Sequence, residues 1–137
     1  MKKTVFLSIL ILGLLSCGSD DRTMETSGLV GQWKLTEAFI SAGGPQYWVD
    51  VENGEEFTFF ENGTFSSNKF SECTTGIFST DQNGLSLQYD CDGFDPKSEN
   101  IDGFITFDLE LETNYFIVTP TSGPICIEGC SYKYTRR

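Results

Sequence analysis

The stretch Glu55-Glu-Phe-Thr-Phe-Phe-Glu-Asn-Gly-Thr-Phe65 carries the clearest fold signal in the chain. Phe57 and Phe59 are two residues apart, a spacing that places both side chains on one face of a β-strand. Asn62-Gly63 follows, and this dipeptide is the strongest short-range signal of a β-hairpin because its turn needs residues that tolerate positive φ. We therefore predict two antiparallel strands joined at this turn.

The same dipeptide recurs at Asn53-Gly54 and Asn83-Gly84, each time near apolar or β-branched residues. Three such turns in one small domain predict a meander of antiparallel strands. The segments between turns are rich in Phe, Tyr, Thr, Ile and Val and show no convincing 3.6-residue period, which favours an all-β up-and-down barrel or a sandwich. The predicted strands are Gln32–Ile40, Glu55–Phe60, Thr64–Phe70, Cys73–Thr80, Leu85–Cys91, Ile101–Glu110, Asn114–Thr119 and Cys130–Arg136.

The third turn predicts a disulfide. With Asp81–Asn83 as its loop, Cys73 faces Cys91 directly across the hairpin, and Ile77 faces Leu87. Two cysteines in directly opposed positions lie within disulfide reach. A register shifted by one residue would place the two cysteines on opposite faces, so the predicted disulfide also depends on this register.

The stretch Leu29-Val-Gly-Gln-Trp-Lys-Leu35 places a Gly-x-Trp motif on the first strand. It resembles the N-terminal motif of lipocalins and of their small lipocalin-like relatives among bacterial lipoproteins of the Bacteroidota. The phenylalanine-rich hairpin and the ending Cys126–Tyr134 are also similar to theirs. The resemblance implies an antiparallel eight-stranded barrel over residues 28–137, in which Trp33 packs across the closed end under an arginine of the last strand, Arg136 or Arg137.

The interior of such a barrel leaves two functions open, because eight strands enclose a space that is either filled by side chains or holds one small ligand. A filled barrel would serve as a protein-protein interaction module of the cell envelope. A barrel with a cavity would bind a small apolar ligand non-covalently, with Trp48, Phe57 and Phe59 among its wall residues. Residues 41–48 are the candidate mouth loop, although Tyr47 and Trp48 could instead begin the next strand.

Residues 1–16 predict an export signal. Lys2 and Lys3 form a basic head, and the apolar run that follows is too short to cross a bilayer as a helix. The sequence Leu14-Leu-Ser-Cys17 resembles the lipobox of bacterial lipoproteins, in which the cysteine is acylated and becomes the first residue. We therefore expect cleavage before Cys17, a palmitate-type lipid on that residue, and membrane association through the lipid.

Residues 17–27 read as the lipidated cysteine and a flexible tether, because they contain too few apolar residues to fold. Ser19-Asp20-Asp21 resembles the acidic signal that sends some lipoproteins of the Bacteroidota to the outer face of the outer membrane. A plain solvated linker accounts for the same residues. The expected location is therefore the outer membrane, with the domain on its periplasmic face or at the cell surface.

Assigning Cys17 to lipid leaves an even number of cysteines in an oxidising compartment, which favours disulfides. The second predicted disulfide joins Cys126 and Cys130 in a tight loop. Zinc is the competing role for four cysteines, but the spacings contain no paired C-x-x-C. The acidic stretch Asp90–Asp95 fails the EF-hand calcium spacing and reads as a turn, so we predict no metal site.

Charge and composition exclude further classes of function. The chain has 20 acidic and 9 basic residues and a net charge of −11, which repels nucleic acid. It contains no histidine, and therefore no Ser-His or Cys-His nucleophile pair. No phosphate-binding or dinucleotide-binding motif appears. The sequence thus predicts no catalytic residues, no enzymatic activity and no cofactor.

Overall fold

The structure is a computed structural model that describes residues 28–41, 43–124 and 130–137. The predicted export signal, the lipid site Cys17 and the tether up to residue 27 lie outside the described residues, as does Cys126. No helix within the described residues has the length and hydropathy needed to span a membrane.

The described residues form nine β-strands in one antiparallel sheet. The strands are β1 (Gly31–Ile40), β2 (Tyr47–Asp50), β3 (Glu56–Phe59), β4 (Thr64–Ser67), β5 (Thr75–Asp81), β6 (Gly84–Tyr89), β7 (Ile105–Leu111), β8 (Tyr115–Pro120) and β9 (Ser131–Arg136). From β3 to β9 each strand pairs with the next along the chain, and β9 returns to pair with β1. This closure of the ring confirms the predicted all-β, antiparallel up-and-down barrel.

The barrel has eight positions because β2 and β3 occupy one of them together. Both strands pair with the same side of β1. The first half of β1 pairs with β3, and the second half of β1 pairs with β2. Residues 51–55 interrupt this shared strand and bring Gly54 so close to β1 that an added Cβ would lie 2.1 Å from the Leu35 carbonyl oxygen. The prediction of a hairpin turn at Asn53-Gly54 is therefore wrong: the glycine permits a close backbone approach within a strand position.

The other two Asn-Gly sites do lie in hairpin turns. Gly63, at a φ of 80°, lies in the turn between β3 and β4, where the Asn62 side chain accepts a hydrogen bond from the Thr64 backbone N–H at 3.1 Å. Between β5 and β6 the turn residues are Gln82 and Asn83, since Asp81 already pairs with Gly84. The predicted three-residue loop is thus one residue too long.

That difference shifts the predicted register of β5 against β6 by one residue. Phe78 faces Leu87, and both are buried, whereas Ile77 faces Gln88 and is 46% exposed. The predicted pairing of Ile77 with Leu87 is wrong. The two-residue turn sets a register in which Phe78 lies opposite Leu87, and the side chain of Phe78 rather than that of Ile77 points inward.

The disulfide between Cys73 and Cys91 is nevertheless formed, with 5.7 Å between the two Cα atoms. Both cysteines lie beyond the last pair of the ladder, where alternation no longer determines which side chain faces inward. Thr74 and Thr75 are both exposed, and this break in alternation returns Cys73 to the interior. Cys130 is also disulfide-bonded, while its predicted partner lies outside the described residues.

One end of the barrel, here called the closed end, is sealed by Trp33. The indole is fully buried and donates its Nε1–H to the Leu29 carbonyl at 2.7 Å. The Arg136 guanidinium lies over the ring, 4.2 Å from its centroid, and donates to the Gly28 and Val30 carbonyls at 2.8 and 3.0 Å. Of the two arginines offered by the resemblance, Arg136 therefore holds the entering chain against Trp33.

Candidate functional site

The barrel interior contains a cavity of about 200 Å³. The apolar part of its wall consists of Phe57, Phe59, Leu85, Leu87, Ile105, Phe107, Phe116, Val118, Pro120 and Pro124. The polar part consists of Lys69, Tyr89, Ser98, Ser122, Tyr132 and Tyr134. Side chains therefore leave part of the interior open, although the many aromatic rings keep the cavity small.

The cavity lies toward the end of the barrel opposite Trp33. Lys69, Ser98, Ser122 and Pro124 belong to the loops that follow β4, β6 and β8. In an up-and-down barrel alternate loops lie at the same end, and these loops lie opposite the end where β1 begins and β9 finishes. We call this end the mouth and define it by those four residues.

Two of the three predicted wall residues line the cavity. The Phe57 and Phe59 rings stack at 5.5 Å, and Phe59 also contacts Phe116 on the opposite wall at 6.3 Å between centroids. Phe116 in turn packs edge-on against Trp33 at 4.9 Å. The alternating phenylalanines that identify the β3 strand in the sequence thus form part of the cavity wall, above the closed end.

Trp48, the third predicted wall residue, does not line the cavity. A one-residue bulge between Leu35 and Glu37 changes which β1 residues point inward, so that Ala38 is buried whereas Phe39 is only half-buried. Trp48 is the strand partner of Phe39, packs against its ring at 5.2 Å and is 39% exposed. The prediction is wrong because the bulge, which the sequence pattern does not reveal, reverses the alternation.

A polar cluster lies at the cavity wall near the mouth. The Lys69 ammonium pairs with Glu55 Oε1 at 3.0 Å, and the Tyr134 hydroxyl donates a hydrogen bond to the same oxygen. Burial raises the pKa of Tyr134 well above its usual value, and the Glu55 carboxylate raises it further. Tyr134 therefore stays neutral at physiological pH and remains a donor to Glu55.

Tyr89 contributes a buried hydroxyl to the same region. Its side chain is 8% exposed and packs against the rings of Phe65, Phe70 and Phe94, with centroids 5.1 to 5.4 Å away. Among the described residues its hydroxyl has no hydrogen-bond partner. Burial raises the pKa of Tyr89 to about 12, although nearby Ser67 lowers it. The hydroxyl is thus protonated at physiological pH and is enclosed by the surrounding side chains.

The polar cluster was not predicted from the sequence. Leu85, Leu87 and Tyr89 follow one another at a spacing of two, and this alternation could have placed Tyr89 on the inward face of its strand. Lys69 and Glu55 carry no comparable signal, because both lie outside the regular strands. Their pairing depends on the approach of two segments that the sequence pattern does not align.

One group of possible metal ligands is present within the described residues: Cys73, Asp90 and Cys91. The two sulfurs are bonded to each other, and a disulfide offers no thiolate to a metal ion. The Asp90 carboxylate accepts a hydrogen bond from the Thr75 hydroxyl at 2.6 Å. These contacts give Asp90 and the cysteines structural roles at the edge of the β5–β6 hairpin.

No protein-family profile and no curated protein match the chain. Solved structures similar to it include two from Bacteroides. A lipocalin-like protein from Bacteroides uniformis is 21% identical with a TM-score of 0.49, and an uncharacterized protein from Bacteroides eggerthii is 16% identical with a TM-score of 0.42. Each alignment covers 80% of this chain and 99% of the other.

Proposed function

We propose that this protein is a lipid-anchored lipoprotein of the bacterial cell envelope whose barrel binds one small, largely apolar molecule non-covalently. The observation that carries the proposal is the cavity of about 200 Å³ behind the mouth. A dry protein cavity of about 150 Å³ holds benzene. The cavity therefore suits a molecule of one aromatic ring with a few further atoms, and it is below the ~300 to 1,000 Å³ of drug-sized sites.

The wall is suited to weak binding that depends on apolar contact. A ligand of this size buries about 150 Å² of apolar surface, which at about 25 cal/mol per Å² contributes about 4 kcal/mol and corresponds to a Kd near the millimolar range. Aromatic side chains such as Phe57, Phe59 and Phe116 provide most of this contact and are held in fixed positions by their mutual packing. Tighter binding requires polar contacts in addition.

The position of the N-terminal segment is compatible with a lipid anchor. Arg136 holds Gly28 and Val30 at the closed end of the barrel. A tether from a lipidated Cys17 would therefore join the domain at the end opposite the mouth, and the proposed anchor would leave the mouth accessible. The membrane is the proposed partner, through the lipid alone.

Titration of residues 28–137 with 4-fluorotoluene, followed by ¹⁹F NMR, tests the pocket. This segment contains all nine strands and the disulfide between Cys73 and Cys91, and near-UV circular dichroism checks that it folds. We expect saturable binding. Val118→Phe should abolish it by placing a ring in the cavity, whereas Ile77→Phe, on the outer face, should not. Absence of saturable binding to the folded protein would refute a pocket.

The anchor is tested separately in cells. Growth of the producing bacterium with a labelled fatty acid should label the wild-type chain and leave Cys17→Ala unlabelled, because acylation requires the cysteine sulfur. A labelled Cys17→Ala chain, or an unlabelled wild-type chain, would contradict the anchor without affecting the pocket.

A further inference from the structure

Strand β2 has an open edge. It pairs with β1 on one side, and no strand of the described residues pairs with its other side. Strand β4, which occupies the next position of the barrel, pairs with β3 and β5 and ends at Ser67. An open edge presents backbone N–H and C=O groups that are available for pairing with another chain.

The register shows which residues present these groups. The Val51 N–H donates to a β1 carbonyl at 2.8 Å, and hydrogen-bonded pairs alternate along an antiparallel ladder. Tyr47 and Val49 therefore direct their backbone groups toward β1. Trp48 and Asp50 direct theirs toward the open edge, which thus offers two N–H and two C=O groups.

The side chains of β2 also suit an added strand. Val49 lies opposite the buried Ala38 and faces the interior, so Trp48 and Asp50 face outward. Trp48 and Tyr47 are 39% and 49% exposed. Edge strands are commonly protected by lysine or proline, but β2 contains neither. Its exposed aromatic rings would gain contacts with the side chains of a neighbouring strand.

The charge around β2 favours a basic partner. Residues 35–68 contain six acidic residues and no lysine or arginine. Asp50 and Glu52 are exposed and form no ion pair within the part of the chain that the structure describes. Lysine or arginine on the partner would balance these carboxylates. A second copy of this chain is disfavoured, because it would bring a further net charge of −11.

We infer that the open edge of β2 binds an extended segment of a partner protein, with alternating basic and apolar residues, as an additional antiparallel strand. The basic side chains lie on the outer face, against Asp50 and the Trp48 ring, and the apolar side chains lie beside Val49. The inference goes beyond the proposed function, since no β2 residue lines the cavity.

A short peptide of alternating lysine and valine tests the edge. It is added to the full chain in phosphatidylcholine nanodiscs, and the backbone amide signals of β2 are followed by NMR. We expect saturable shifts at Trp48 and Asp50. Amide hydrogen exchange should slow more at these two residues than at Tyr47 and Val49, whose N–H groups already face β1.

Modified peptides separate strand addition from simple charge attraction. In the inferred arrangement the lysine N–H groups face β2 and the valine N–H groups face away. N-methylation of the lysine residues should therefore abolish binding, whereas N-methylation of the valine residues should preserve it. A peptide of alternating glutamate and valine should not bind.

Reversal of one charge tests the role of the acidic edge. Asp50→Lys should weaken binding of the lysine–valine peptide about tenfold and allow the glutamate–valine peptide to bind. Glu61→Lys is the matched control, because it makes the same change in net charge at the exposed turn between β3 and β4. It should leave both affinities unchanged.

Each contrary outcome is specific. Equal binding of the two N-methylated peptides overturns strand addition, and equal binding of the acidic peptide overturns the choice of a basic partner. A dimer in sedimentation, with slow exchange at Trp48 and Asp50 before any peptide is added, overturns the inference in favour of a second copy. If Asp50→Lys fails to fold, the peptide series on the native chain still decides. The 4-fluorotoluene titration tests the pocket independently of these results.

Discussion

The two ends of the barrel differ in how completely their polar groups are paired. At the closed end the Trp33 indole N–H has a carbonyl partner, and the Arg136 guanidinium donates to three backbone carbonyls. Near the mouth, the Tyr89 hydroxyl has no partner among the described residues, and one Glu55 oxygen serves two donors. The closed end is thus a fully paired structural seal, whereas the mouth end encloses a cavity and leaves part of its polar groups less completely paired.

Trp33→Ala should have the largest effect on the free energy of unfolding, because it leaves a cavity at the closed end. Truncation of a fully buried tryptophan costs about 3 to 5 kcal/mol of unfolding free energy, measured by denaturant titration. Trp48→Ala is the control, since this partly exposed indole packs outside the barrel against Phe39, and it should cost less than half as much. Equal losses for the two tryptophans would show that the closed end has no special role.

Removal of the disulfide near the mouth should have the next largest effect. Cys73 and Cys91 join the segments that follow β4 and β6, at a sequence separation of 18. Replacement of both by serine should lower the unfolding free energy by about 3 kcal/mol, because the unfolded chain gains entropy. Binding of 4-fluorotoluene should weaken as well, since the loops around the cavity are no longer joined. A stability loss with unchanged binding would separate the disulfide from the site.

Tyr89→Phe should have the smallest effect on the unliganded protein, and the opposite sign. Removing a buried hydroxyl that has no partner should leave the unfolding free energy unchanged or raise it by up to about 1 kcal/mol. A loss of more than about 1 kcal/mol would mean that the hydroxyl is paired after all, which would remove the contrast between the two ends.

The pH dependence of the unfolding free energy gives a further test of how Tyr89, near the mouth, contributes to stability. The pKa of Tyr89 is raised to about 12 in the folded protein, above the ordinary value of 10.0. The neutral phenol therefore adds stability that is fully present below pH 10 and is lost as the pH rises from 10 toward 12. Denaturant titrations across this interval should show a smaller decrease in Tyr89→Phe than in the native chain. Because Tyr134 also has a raised pKa, part of the decrease should remain.

The strands were predictable because their sequence signals are local. Alternating aromatic residues and two of the three Asn-Gly turns predict β3, β4, β5 and β6 to within a few residues. Ile101 is an exception. The sequence pattern predicts a strand that begins at Ile101, but this residue is fully exposed, because Asn100 accepts hydrogen bonds from the Asp102 and Phe104 backbone N–H groups and forms a turn there. A side chain that binds its own backbone overrides strand propensity.

The candidate site was predictable only in part, because bulges and interruptions decide which face of a strand turns inward. Phe57 and Phe59 lie in regular β3 and were placed correctly in the cavity wall. Trp48 was not, since the β1 bulge reverses the alternation opposite it. Glu55 and Tyr134 are 79 residues apart in the chain, and no local pattern aligns them.

By itself, the sequence determined most of the strand segments, though not β2, together with the disulfide between Cys73 and Cys91 and the pairing of Trp33 with an arginine of the last strand. Each depends on nearby residues or on a motif at a recognisable position. The tertiary structure alone decided that a cavity remains, and that Lys69, Glu55, Tyr134 and Tyr89 meet beside it. The physical reason is that closing the barrel brings distant segments together in registers set by bulges, which residue alternation does not encode.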